Sequence, residues 1–148
     1  MWVLLTFLIL VWVFILARLR DPPLLKQIRA RYLLLLKHLK ETPGIDNRFK
    51  SIKDNVTIIT GIAASRMNKG TIGYNVNKGY EIYICLDGDN INAAMHILIH
   101  ELAHITVAEY DHTPAFWQSF KDLKQLCQSL GLYVPITTVQ YCGGEIHE

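Results

Sequence analysis

Apolar and polar residues change rhythm several times along this chain, and each rhythm predicts a different element. Met1 to Ala17 carries no charge and a single hydroxyl, Thr6, before Arg18 and Arg20. A run of that kind predicts a helix that is apolar on every side. Its seventeen residues would reach about 26 Å, the short end of what crosses a bilayer core. Arg18 and Arg20 can extend that reach by snorkelling to the headgroups, with Trp2 at the opposite interface. A cleaved signal peptide fits less well, because no Lys or Arg precedes the run and the run is long for such a segment. A buried core helix fits worst, since a chain this small has little with which to cover Trp2, Phe7, Trp12 and Phe14 on all faces.

From Asp21-Pro22-Pro23 the period becomes helical. Leu24, Ile28, Tyr32, Leu35, Leu36 and Leu39 form an apolar stripe, while Lys26, Arg29, Lys37 and Lys40 are expected outside, and Thr42-Pro43-Gly44 ends the element. Such a helix can dock on the domain that follows or lie along a membrane. Strand signals come next. Val56 to Thr60 is rich in β-branched residues and is expected to close at Gly61, and Thr71–Tyr74 and Tyr80–Leu86 flank the turn-forming Asn75-Val76-Asn77-Lys78-Gly79. Asp87-Gly88-Asp89-Asn90 offers a turn and a cap for a helix over 91–109, with Ile91, Met95, Leu98, Leu102 and Ile105 inward. Thr113-Pro114 starts a last long helix through Phe116, Phe120, Leu123, Leu126, Cys127 and Leu130, stopped by Gly131. One more strand is expected around 136–141. The division that follows is an anchor over 1–20, a basic amphipathic helix with its linker over 21–44, and a domain over 45–148.

Charge sharpens that division. Residues 1–53 hold ten Lys/Arg against three acids, a balance of +7; residues 54–148 hold five against ten, a balance of −5. Positive charge directly after an apolar span predicts that this side faces the cytoplasm, and it favours anionic headgroups. An acidic C-terminal part argues against a nucleic-acid footprint there. The cysteines, Cys85, Cys127 and Cys142, are odd in number and widely spaced, so reduced thiols are expected rather than a disulfide framework. Cys142 in its glycine turn is expected to be structural, with a regulatory metal contact as the lesser alternative.

The densest chemistry is His100-Glu101-Leu102-Ala103-His104. Histidines four apart share one helix face, so both rings can reach one ion, and the Glu between them can serve as general base toward an activated water. His112 follows eight residues after His104. A third histidine there would leave one tetrahedral position open, as catalysis by zinc requires. Glu109 or Asp111 could stand in its place, since carboxylates also ligate zinc. His96 lies one turn before His100, but histidines 96, 100 and 104 spread over about 12 Å of helix, too far for a single ion. His147 is expected to be an exposed tail residue.

The run HELAH, followed by His112-Thr113-Pro114-Ala115-Phe116-Trp117, resembles the WLM and SprT-like group of small zinc metallopeptidases. That resemblance implies one zinc ion on His100, His104 and His112, Glu101 as catalytic base, and Phe116-Trp117 as packing for the third ligand's loop. It implies an α+β, zincin-like minimal metallopeptidase fold, a small sheet with a hairpin packed on the metal-binding helix, with a protein or peptide substrate added as a strand beside Tyr80 to Leu86. Short anchored versions of the domain resemble proteins encoded by large DNA viruses. The expectation is a membrane-anchored, cytoplasm-facing zinc metallopeptidase without a nucleic-acid partner. Three rivals remain: a catalytically silent, zinc-stabilised structural membrane protein, against which the intact Glu101 argues; a DNA-linked protease; and a zinc hydrolase acting on something other than peptides.

Overall fold

The computed structural model describes residues 1–148. It is α+β, with five α-helices and two small sheets. Helix α1 (Trp2–Arg18) has no buried residue, and its apolar side chains all face outward. By length and composition no single helix is long and apolar enough to cross a membrane, although α1 and α2 (Pro23–Glu41), bent by 45° at their junction, qualify as a pair. Helix α2 is differently placed. Leu24, Leu25, Ile28, Tyr32, Leu35, Leu36 and Leu39 are all buried in the main core, so its apolar stripe docks on the domain. Lys26, Lys37 and Lys40 are exposed as expected. Arg29 is half-buried and donates from Nε and Nη2 to the carbonyl of Ile59, at 3.0 and 2.8 Å, tying α2 to the sheet.

A short helix, α3 (Lys50–Asp54), leads to β1 (Ile58–Ala63), β2 (Gly73–Val76) and β3 (Glu81–Leu86). Strand β3 is central, parallel to β1 and antiparallel to β2. Two sequence expectations change here. First, β1 does not close at Gly61 but runs through it, because a Cβ there would meet Leu86 Cδ1 at 2.3 Å; the missing side chain is what lets the strand continue under Leu86. Second, β3 is hydrogen-bonded on both sides, so no strand can be added beside Tyr80 to Leu86. The free edges belong to β1 and β2. The expected hairpin forms, and its turn uses left-handed backbone at Asn77, Lys78 and Gly79 (φ 49°, 50° and 96°).

Helix α4 (Ile91–Ile105) crosses beneath the sheet and is the most buried element, with Met95, Leu98, Ile99 and Leu102 fully enclosed. It stops at Ile105, short of the expected Glu109; Thr106 turns its hydroxyl back onto the Ala103 carbonyl at 2.7 Å. Helix α5 (Pro114–Ser129) begins as its sequence predicts, with Thr113 Oγ1 accepting from the amide of Phe116 at 3.3 Å. The chain ends in a small hairpin, β4 (Val139–Tyr141) and β5 (Gly144–Ile146).

The cysteines require a further correction. Cys85 and Cys142 form a disulfide, with Cα atoms 6.4 Å apart, 57 residues apart in sequence, and only Cys127 is free. The bridge pins the terminal hairpin to β3 and leaves Cys142 no thiolate to offer a metal. Cysteine spacing could not reveal it, because the pairing is made by the fold bringing a strand interior against a distant turn.

Candidate metal centre

Asn90 caps α4, its Oδ1 accepting from the amide of Ala93 at 3.0 Å, and this fixes where the helix starts. With Leu98, Leu102 and Ile105 turned inward, His100 and His104 fall on a neighbouring face, half-buried, one turn apart. His112 comes from the loop before α5. One ligand atom from each of the three lies within 4.8 Å of the others, and the Nε2 atoms of His112 and His100 are 3.0 Å apart. Ligand nitrogens around tetrahedral zinc, at about 2.1 Å each, would be roughly 3.4 Å apart. Burial, with the neighbouring histidines, lowers the pKa of His100 to about 3, and burial also lowers that of His104. Both rings are therefore neutral lone-pair donors at pH 7. The donor set fits zinc.

Phe116 is the wedge behind the cluster. It is fully buried, with its ring centroid 4.9, 4.3 and 4.7 Å from those of His100, His104 and His112. Trp117 stacks on His112 at 5.5 Å. Neither Glu109 nor Asp111 belongs to the group of converging ligands. His96 also stands apart, buried, with Nδ1 3.1 Å from the hydroxyl of Tyr133. His147 is exposed, but it follows β5 and faces Glu145 at 3.1 Å rather than trailing freely.

Glu101 is 7% exposed, and burial raises its pKa to about 7 against the opposing hydrogen bond from Asn75. Asn75 Nδ2 donates to the Glu101 carbonyl at 2.6 Å and to its Oε2 at 3.3 Å, so β2 positions the carboxylate on α4. Gly73 makes that approach feasible: a Cβ there would meet Ile97 Cγ2 at 2.5 Å and Glu101 Oε1 at 3.4 Å. Lys78 performs a second positioning task. Its Nζ donates to the carbonyls of Val107, Ala108 and Glu109 at 2.9, 2.7 and 2.8 Å, and it lies 4.3 Å from the ring centroid of Tyr110. One ammonium thus gathers the loop that delivers His112. The turn composition of Asn75 to Gly79 predicts neither role, because nothing in it distinguishes a residue that reaches across to α4.

A cleft of about 330 Å³ opens on this cluster, lined by Gly73, Tyr74 and Asn75 of β2 together with Lys78, Tyr110 and the three histidines. Residues 25–141 match the WLM domain. The chain belongs to the WLM family. Its members are zinc-metallopeptidase-like, and the three-histidine cluster of this WLM domain can hold a metal ion, consistent with zinc. The chain is similar to an uncharacterized protein of Acanthamoeba polyphaga mimivirus, 35% identical over 85 residues, 51% of this chain and 43% of that protein. It is also similar to an uncharacterized protein of Invertebrate iridescent virus 6, 31% identical over 80 residues, 49% of this chain and 44% of that one. The chain thus spans less than half the length of these curated relatives. No solved structure matches it.

Proposed function

We propose that this WLM domain is a membrane-anchored zinc metallopeptidase, with His100, His104 and His112 as ligands of one ion and Glu101 as general base. The observation that carries the reading is a buried carboxylate, its pKa raised to about 7, set beside three converging imidazoles. Such a group costs stability and has no structural employment beyond its contact with Asn75. A bound zinc ion would supply Lewis-acid charge, acidifying water and polarising a carbonyl. The protein supplies the rest. A peptide laid as an added strand along the free edge of β2 passes over the cluster with its scissile carbonyl toward His100 and His112. Glu101 takes a proton from the attacking water, the C–O bond forms, and the same proton passes to the leaving amine as the C–N bond breaks. Asn75 keeps the carboxylate oriented throughout.

Zinc content tests the ligand set. The wild-type chain is expected to carry one zinc, His104→Ala and His112→Ala to lose it, and Glu101→Gln to keep it. Loss on Asp111→Ala with retention in His112→Ala would reassign the third ligand. Lys78→Met is expected to retain the fold but weaken zinc about 10-fold in a chelator competition, because the His112 loop loses its clamp. An unchanged affinity would limit Lys78 to a surface role.

The anchor is part of the same proposal: residues 1–20 embed in a bilayer, α2 joins them to the domain as one of its own core helices, and 45–148 carry the catalytic machinery. The full chain should stay with membranes through a carbonate wash; release would remove the anchor. The charge over residues 18–53 favours a domain facing the cytoplasm, whereas the Cys85–Cys142 bridge favours an oxidising side. Trapping the thiols in intact cells decides between them.

A further inference from the structure

The cleft does not end at the metal cluster. A second cavity, about 480 Å³, begins at the same three residues, Gly73, His100 and Glu101, and extends the opposite way, toward the terminal hairpin. Its walls are Ile72 on the approach to β2, Ile97 on α4 and Ile146 on β5. The two halves differ in charge. Lys78 lines the first, whereas no Lys or Arg lines the second, whose only carboxylate besides Glu101 is Glu145.

Resting on the peptidase reading, we propose that this second cavity is a substrate side-chain subsite that takes a basic residue, lysine or arginine, on the hairpin side of the scissile bond. The stem of such a side chain lies on Ile72, Ile97 and Ile146 while its charged head reaches Glu145. The Glu145 carboxylate is held in place, accepting from Gln140 Nε2 at 2.9 Å and facing His147 Nε2 at 3.1 Å. Its wall is equally fixed. Besides the disulfide, Tyr141 Oη donates to the Cys85 carbonyl at 3.0 Å, and the amide of Cys142 donates to Asp87 Oδ2 at 2.8 Å. Since the Glu145 side chain is about half exposed, its selectivity for a cation should be modest, about 3- to 10-fold.

The test uses the full zinc-loaded chain on a mixed peptide library, with cut sites read by mass spectrometry. It is paired with binding of two labelled alanine-rich peptides, identical except for Lys or Ala at the central position, to the Glu101→Gln protein. Wild type is expected to favour Lys or Arg at one position on a constant side of the cut. Glu145→Gln should flatten that preference and Glu145→Lys should turn it toward Asp and Glu, and the binding ratio should move in parallel. A basic preference that survives Glu145→Lys, or cleavage without any preference at that position, overturns the subsite and leaves the peptidase standing. Lysine-selective binding that Glu145→Gln abolishes, with no cleavage of any peptide by wild type, upholds the subsite and overturns the peptidase. Absence of both overturns the two together.

Discussion

Glu101→Gln is expected to lower peptide hydrolysis by about 10²–10⁴-fold with zinc still bound, the loss typical of removing a positioned general base. The substitution is nearly isosteric, and its carbonyl oxygen can still accept from Asn75, so the cluster of histidines need not move. Equal rates in the two proteins would remove Glu101 from the mechanism. Stability gives an independent reading in metal-free protein. The carboxylate titrates near 4.5 in the unfolded chain and is raised to about 7 in the fold by burial. A group raised in this way binds its proton more tightly when folded, so the fold loses stability as pH rises from about 4.5 through 7. Relative to wild type, the metal-free Gln variant should therefore be no more stable at pH 4 and more stable at pH 8, by about 2–3 kcal/mol. Denaturant midpoints at the two pH values measure it. Zinc should reverse the ranking, because a nearby cation favours the ionised carboxylate.

How far the fold could be read beforehand depended on the range of the interactions that made it. Helix α5 was legible to within a residue because Thr113, Pro114 and Gly131 act within one turn of the positions they specify. That His100 and His104 share one face of α4 was legible for the same reason, since their spacing is itself the geometry. The end of α4 was not. Lys78 pulls the carbonyls of residues 107–109 out of helical use, and a lysine thirty residues away leaves no trace in the local pattern. Strand β1 was misjudged at Gly61, where a conformational breaker is instead a packing cavity for Leu86. Strand order was beyond reach altogether. The hairpin pattern shows that β2 and β3 pair, but only the parallel partner β1, contributed by an earlier segment, makes β3 central and leaves β2 with a free edge beside the histidine cluster.

Loss of the Cys85–Cys142 bridge should be the largest effect away from the metal. Hairpin β4–β5 has three residues in each strand, too little to stand alone in water. Its attachments include buried Tyr141 and Ile146, the three hydrogen bonds around Cys85 and Asp87, and the disulfide. A crosslink closing a loop with a sequence separation of 57 restricts the unfolded chain by about 4 kcal/mol at most. Reduction, or the Cys85→Ser and Cys142→Ser pair, is therefore expected to lower Tm by about 10 °C. Serine at fully buried position 85 adds a cost of its own, so agreement between the reduced wild type and the double variant isolates the crosslink. Amide exchange should rise first over residues 139–147, and less over α4, because the hairpin loses its tether while the main core keeps its packing. Identical melting and exchange with and without reductant would mean that the two sulfurs are not joined. If they are joined, reduction loosens the wall that carries Glu145 without touching His100, His104 or His112. Cleavage selectivity should then soften before zinc is lost, an order that sets a redox effect on the far half of the cleft apart from general unfolding.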